Sequence, residues 1–324
     1  MPARAEQDVR FSGDVAPLRT ISYAELQNAA PHALEDLFLA AKEDGIFYLN
    51  FNDSGGRTSF GHSVRDVERL SRAIFDMPIE EKRLFDVDRM GKLKLNGNKG
   101  GIKGQLDGFE SYAISRDTMT KSPNTAVRHP NAVTEYGKAI ADLTSTCLDV
   151  TKLILKALSR AFELPGDDSF ESLHDSVSSP LDLLRLLKYP NAIGDGEFSI
   201  PQLPHADMGS LTFLFTAAPG LQILPAGTKQ WLNVLPMPGH AIVNFGDAMK
   251  IFSAGKIESV MHRVVTVPGR EVQDRYSFAF LVRPKASAPM KALPLFRNEM
   301  DEKVRSSMTC EEWVSMRFSQ LRAK

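Results

Sequence analysis

His205-Ala206-Asp207 sets an imidazole and a carboxylate two positions apart. On an extended strand, side chains at i and i+2 point to one face, so both groups can reach a single metal ion. A third ligand has to come from elsewhere, and His262 follows after enough chain for several barrel strands to intervene. Two neutral imidazoles and one carboxylate on one face of an iron ion leave three coordination positions open, which suit O2 and a bidentate co-substrate. A His-x-Asp pair also arises by chance. The chain holds seven histidines, His32, His62, His129, His174, His205, His240 and His262, and an isolated histidine is more often structural than a ligand. His240, in the turn sequence Met237-Pro238-Gly239-His240, is the competitor for the third position.

A second pair lies shortly beyond His262. Arg275 and Ser277 share one face of a strand, and a guanidinium beside a hydroxyl makes a matched grip for a carboxylate. A surface ion pair is the alternative for Arg275. The residues that follow, Tyr-Ser-Phe-Ala-Phe-Leu-Val, read as a buried strand, however, and a buried arginine needs an anion. The two pairs together describe a site for iron and a dicarboxylate.

These residues need a scaffold, and the hydrophobic pattern supplies one. From about 181 to 284 short β-rich runs are cut by Pro and Gly: Leu183–Tyr189, Leu211–Phe215, Leu221–Leu224, Gln230–Leu235, Ala241–Asn244, Ser259–Val267 and Tyr276–Val282. Such spacing predicts an antiparallel jelly roll. Residues 131–164 carry an apolar stripe at steps of three and four and predict a long core helix stopped by Leu164-Pro165-Gly166. Residues 21–44, with Ser22 as cap and Gly45 as stop, predict a helix, Ile46–Phe51 a strand and 63–75 a second helix. Thr309 and Glu312 make a capping box for a last helix. The Gly-, Lys- and Asn-rich stretch 89–106 predicts a loop, and long loops are often lids. The expected division is an N-terminal α/β region over 1–130, then support helix, jelly-roll core and C-terminal helix over 131–324.

Composition narrows the class. Hydrophobic residues make up 43% and charged residues 24%, with a net charge of −1, an ordinary globular balance without the basic footprint of a nucleic-acid binder. Cys147 and Cys310 have neither metal-knuckle spacing nor a partner framework and read as core thiols. The first residues lack the apolar stretch of a signal peptide, and no run is long enough to span a bilayer. A cytoplasmic enzyme is the expectation.

Along nearly its whole length, the chain resembles the isopenicillin-N-synthase-like family of 2-oxoglutarate/Fe(II)-dependent dioxygenases. The stretches that carry the resemblance are Leu187–Pro190, Pro204–Leu214, Pro219–Gln222, Trp231, Asn244–Asp247, Ser259–Val264 and Arg275–Phe278, with weaker echoes at Asp44–Tyr48 and Met77–Lys82. Fungal members acting on natural-product intermediates, including ring-expanding tropolone dioxygenases, are similar in length and texture. The resemblance implies an α+β fold, a distorted double-stranded β-helix with an N-terminal α/β region and supporting helices. It implies His205, Asp207 and His262 as ligands of Fe(II), and Arg275 and Ser277, assisted by Tyr189, as the grip on the distal carboxylate of 2-oxoglutarate. The family often has Asn where this chain has Leu187, and a small or polar residue where it has His240.

The implied reaction consumes O2 and 2-oxoglutarate, releases succinate and CO2, and oxidises a small molecule of secondary-metabolite type by hydroxylation, desaturation or ring expansion. Strand parity extends the site. If Arg275 and Ser277 face the cavity, Ala279, Leu281 and Arg283 continue that face, and Tyr189 brings Leu187 and Arg185 with it. In the family that the chain resembles, residues at the Arg185, Leu281 and Arg283 positions tend to line the substrate pocket, so the resemblance implies these three as candidate substrate contacts, and arginines there favour an anionic or oxygen-rich substrate. Two alternatives stand beside this reading. One is an iron oxidase that takes its electrons from the substrate alone, and the other is a non-catalytic metal- or ligand-binding jelly roll.

Overall fold

The structure, a computed structural model, describes residues 14–52, 57–85, 93–94, 108–116, 129–174, 181–189, 202–265, 274–297 and 308–323. Strand β1 (Thr20–Ser22) leads into helix α1 (Tyr23–Gln27), where Ser22 Oγ accepts the Glu25 N–H at 3.3 Å. The single helix expected over 21–44 is broken. Ala29 takes a left-handed φ of 50°, and Pro31 then opens α2 (Pro31–Leu39) at the first position, where its missing N–H costs nothing. A π-helical turn, Ala40–Asp44, ends at Gly45 with φ 69°. Strand β2 (Ile46–Asn50) follows, close to the expected strand. Helix α3 (Arg57–Phe75) begins before the expected start at 63, and Pro78 caps the short α4 (Ile79–Lys82).

Two residues of the expected 89–106 loop are not loop: Leu93–Lys94 form β3, paired with β4 (Glu110–Ser115). The rest of that stretch, and with it the lid reading, lies outside the described residues. The long helix is divided at Tyr136 into α5 (Asn131–Glu135) and α6 (Gly137–Ala161), whose Ile140, Leu143, Cys147, Val150 and Ile154 are buried as the stripe requires. Cys310 is buried as well, and both thiols are free. The last helix, α8 (Cys310–Ala323), is entered through the expected reciprocal box: the Thr309 N–H donates to Glu312 Oε2 at 2.8 Å, and the Glu312 N–H to Thr309 Oγ1 at 3.3 Å. Among the described residues no helix is long and apolar enough to cross a membrane.

The core strands are β5 (Leu183–Tyr189), β6 (Gln202–His205), β7 (Leu211–Thr216), β8 (Leu221–Leu224), β9 (Leu232–Val234), β10 (His240–Phe245), β11 (Met261–Val264) and β12 (Arg275–Val282), with α7 (Asp247–Phe252) after β10. They form an eight-stranded sheet, ordered β1-β2-β10-β7-β12-β5-β4-β3, and a four-stranded sheet, ordered β6-β11-β8-β9. The outer face of the large sheet, including Leu184, Leu186, Phe213, Val243, Phe278 and Phe280, packs with helices α2, α3 and α6 in the main core. Its inner face meets the small sheet. Tyr48, Leu214 and Ile242 pack with Leu221, Ile223 and Val260, and Leu187 and Tyr189 with Val264. Two sheets closed face to face, with helices behind one of them, are the layers of an α+β jelly roll.

Candidate metal and co-substrate site

His205 ends β6 and His262 lies on β11, directly opposite it in the antiparallel ladder. Their ring centroids are 4.3 Å apart. Asp207 is not on the strand with His205, as its i+2 spacing predicts, because β6 stops at His205. It reaches the same point from the turn beyond. The Asp247 N–H at the start of α7 donates to the Asp207 carbonyl at 2.7 Å, and Asn244 Nδ2 donates to Asp207 Oδ2 at 2.9 Å. The turn also packs closely: a Cβ on Gly246 would meet the Gly209 carbonyl oxygen at 2.2 Å.

Each imidazole turns Nδ1 to a backbone carbonyl, His205 to Leu203 at 2.9 Å and His262 to Val260 at 3.3 Å. That fixes the tautomer with the lone pair on Nε2. Both Nε2 atoms stand 3.9 Å from Asp207 Oδ1. Ligand atoms of His205, Asp207 and His262 all lie within 4.8 Å of one another. Burial, then the nearby His262, pushes the His205 pKa down to about 4, which keeps the ring neutral. Burial works against the Asp207 anion, but His262, His205 and the Asn244 hydrogen bond outweigh it and hold the pKa near about 2. Two imidazoles and an ionised carboxylate are a donor set that fits a ferrous ion. His240 does not join them. It opens β10 opposite Asn50 and turns Nδ1 to the Pro238 carbonyl at 2.9 Å.

The second pair lies on the inner face of the large sheet. Arg275 is the register partner of Tyr189, and Ser277 that of Leu187. Arg275 is buried. Its Nε donates to the Pro219 carbonyl at 3.0 Å and its Nη1 to Ser277 Oγ at 3.1 Å, while Nη2 has no partner among the described residues. Gly220, at φ 116°, allows the close turn beside that carbonyl, because a Cβ there would meet the Val265 oxygen at 2.7 Å. The guanidinium lies 4.9 Å over the Tyr189 ring. Burial pulls the Arg275 pKa down, offset in part by Tyr189, and no carboxylate among the described residues compensates the charge. A buried cation with one orphaned N–H group suits the distal carboxylate of 2-oxoglutarate.

Gln202 joins the two halves: its Oε1 accepts the Tyr189 hydroxyl at 2.6 Å, and its Nε2 lies 3.3 Å from His205 Nε2. Sequence reasoning gives Gln202 no role, and it shows Asn244 and Asp247 only as part of a matched stretch. Asp247 ties this centre to the C-terminal helix: Oδ1 accepts from Ser259 at 3.0 Å and Oδ2 from Arg317 of α8 at 3.2 Å.

Unbroken register between β5 and β12 carries the strand parity through Leu281. Arg185 pairs with Ala279, and Leu281 with Leu183 and with Thr212 of β7. Arg283 lies past the end of β12. Its Nη1 donates to the Leu181 carbonyl at 2.6 Å, and its guanidinium is 5.9 Å over Phe318 of α8.

The model of the 2OG-Fe(II) oxygenase superfamily matches residues 181–284, the stretch from β5 past the end of β12. The chain is 30% identical over 285 residues to the 2-oxoglutarate-dependent dioxygenase gloE of Glarea lozoyensis, covering 85% of this chain and 81% of gloE. The chain belongs to the 2OG-Fe(II) oxygenase superfamily. This oxygenase is also 29% identical to the 2-oxoglutarate-dependent dioxygenase FG08081 of Gibberella zeae, over 88% of this chain and 83% of that one. The solved structure of a full-length Neurospora crassa protein in complex with alpha-KG shares the fold, with a TM-score of 0.74 at 21% identity, covering 93% of this chain and 96% of that one. The double-stranded β-helix expected from the sequence is therefore the fold of the oxygenase. Its cofactors are Fe(II), 2-oxoglutarate and O2, and it is a 2-oxoglutarate-dependent dioxygenase.

Proposed function

We propose that His205, Asp207 and His262 hold the ferrous ion and that Arg275 and Ser277, with Tyr189 beside them, bind the distal carboxylate of 2-oxoglutarate. The observation that carries this is the convergence of the two histidine Nε2 atoms on one oxygen of Asp207, on the same interior as a buried arginine with a free N–H. Bound iron and 2-oxoglutarate supply the oxidising power of the reaction, and the protein supplies geometry and exclusion of water. Asn244 takes one Asp207 oxygen and leaves the other for the ion. The Leu203 and Val260 carbonyls hold the imidazoles in the ligating tautomer. Leu187, in place of the family's frequent Asn, gives the co-substrate an apolar neighbour packed on Tyr189 and Val264.

The substrate is a small molecule, anionic or oxygen-rich and of secondary-metabolite type. The fungal company of the chain supports that type. Arg185, Leu281 and Arg283 are its candidate contacts. Of the two arginines, Arg185 is the better placed, because Arg283 already serves the Leu181 carbonyl. The experiment that tests the reading is anaerobic loading with Fe(II) and 2-oxoglutarate, then exposure to O2 and measurement of succinate. Production that requires 2-oxoglutarate and is abolished in Asp207→Ala supports it. Turnover without 2-oxoglutarate supports the iron-oxidase alternative instead.

A further inference from the structure

Two other buried cations among the described residues have a counter-charge. Arg116 has Asp182 at 3.1 Å and Lys82 has Glu110 at 3.0 Å. Arg185 has neither a hydrogen bond nor an ion pair to an acid among the described residues. Its nearest specific contact is the Phe109 ring, 5.7 Å from the guanidinium carbon. Burial pulls its pKa down, and the charges of Tyr189 and Asp207 hold it up in part, so the group is electrostatically in touch with the metal centre. A half-buried guanidinium with no carboxylate bonded to it is a costly arrangement unless an anion arrives from outside.

That anion is not the 2-oxoglutarate carboxylate assigned to Arg275. Arg275 stands level with Tyr189, and Arg185 is four residues back along the same strand, about 13 Å away at ~3.3 Å per residue. The layer between them is Leu187, paired on one side with Ser277 and on the other with Ser111. Two separate anion sites share the inner face, divided by the rung of Ser277, Leu187 and Ser111.

The residues flanking Arg185 make room for the second one. In β12 its register partner is Ala279, and in β4 it is Ala113. Directly opposed residues in a sheet have Cβ atoms about 5 Å apart, so any larger pair would fill the space beside the guanidinium. Phe109, Leu187 and Leu281 are buried apolar neighbours, with the small polar Ser111 and Ser277 flanking Leu187.

We infer that Arg185 anchors the carboxylate of the oxidised substrate, an organic acid with an apolar body, and that Ala113 and Ala279 set the clearance in which that carboxylate is held. The inference rests on the site reading above and adds the substrate's chemical class and two specificity-determining positions. The planar fork of arginine favours a carboxylate over a single oxygen acceptor.

The test is calorimetric titration of the anaerobic Fe(II)- and 2-oxoglutarate-loaded protein with benzoate, phenylacetate and 3-phenylpropanoate, each beside its primary amide. At least one acid is expected to bind about tenfold or more tightly than its amide, a difference that Arg185→Gln removes and Arg185→Lys retains in part. Ala113→Leu and Ala279→Leu, each checked by circular dichroism, are expected to weaken that acid by about tenfold or more. The inference is overturned if acid and amide bind alike, if the preference survives Arg185→Gln, or if no acid binds below about 10 mM. Titration with 2-oxoglutarate separates the two possible failures. Loss of co-substrate affinity in Arg185→Gln, with acid binding intact, reassigns Arg185 to the co-substrate and overturns the inference. Unchanged co-substrate affinity in Arg275→Ala overturns the site reading itself.

Discussion

His262 is the direct cross-strand partner of His205, so two imidazoles distant in sequence are held by one ladder, with centroids 4.3 Å apart. A ladder position is rigid, and removing one imidazole leaves its partner in place. His205→Ala, Asp207→Ala and His262→Ala are each expected to abolish Fe(II)-dependent turnover with an unchanged far-ultraviolet circular dichroism spectrum. His240→Ala is expected to keep substantial activity, because that side chain turns to the Pro238 carbonyl and stands outside the cluster. An inactive His240→Ala beside an active His262→Ala would reverse the choice of third ligand.

Arg275→Ala removes a buried charge from its proposed carboxylate partner. Such a loss is typically worth on the order of 2–5 kcal/mol, or roughly 30-fold and more in affinity. The 2-oxoglutarate concentration for half-maximal succinate production is the measurement, and an unchanged titration would count against the assignment.

Asn244 and Asp247 position the turn that carries Asp207, a proposed ligand, without belonging to the ligand set themselves. Asn244→Ala frees Asp207 Oδ2, and Asp247→Asn weakens the links to Ser259 and Arg317. Removal of such supporting contacts typically costs roughly 10–100-fold in metal affinity. Titration of the apo-protein with Co(II), followed by its visible spectrum, reads that loss independently of turnover, and wild-type affinity in both variants would refute the positioning role.

Much of this site is legible in the sequence. Metal-ligand residue types are few, His205 and Asp207 stand two positions apart, and alternation along β5 and β12 carries side-chain direction over long runs, which is why Arg185 and Leu281 can be aligned with Tyr189 and Arg275 before any fold is known. Asp207 joins the two histidines for a reason other than its spacing: the strand ends at His205, and the Asp247 N–H and Asn244 amide steer the carboxylate instead. Such long-range hydrogen bonds leave no periodic signal. Strand β4 escapes a sequence reading because Glu110–Ser115 is mostly small or polar and becomes a strand by pairing with β5. Gln202 escapes it because a glutamine between two groups far apart in sequence has no motif. The break at Ala29 is signalled by Pro31, which opens helices as readily as it ends them.

His174, outside the proposed metal site, makes stability depend on pH. It bonds through Nδ1 to the Phe170 carbonyl at 2.8 Å and through Nε2 to Ser210 Oγ at 2.7 Å, and burial lowers its pKa from 6.5 to about 4. The unfolded chain binds this proton more readily than the folded one. Its contribution is therefore complete above 6.5 and is lost as pH falls toward about 4. Denaturant unfolding at several pH values is expected to show a shallower acid-side decline in His174→Gln than in the wild type. Parallel profiles would remove His174 from the explanation.

The order of the large sheet carries a last consequence, for dissection of the chain. Both flanks of that sheet come from the first 130 residues, β1 and β2 against β10 on one side and β3 and β4 against β5 on the other. A fragment beginning at 131 would keep the proposed ligands and the family's matched stretch, yet it would bare the backbone of β10 and β5 along two open edges at once. Open edges carrying residues such as Val243, Phe245, Leu184 and Leu186 are templates for pairing with another copy. The segment that contains all the proposed iron ligands is thus expected to be recovered as aggregate, and co-expression with residues 1–130 to return it to solution.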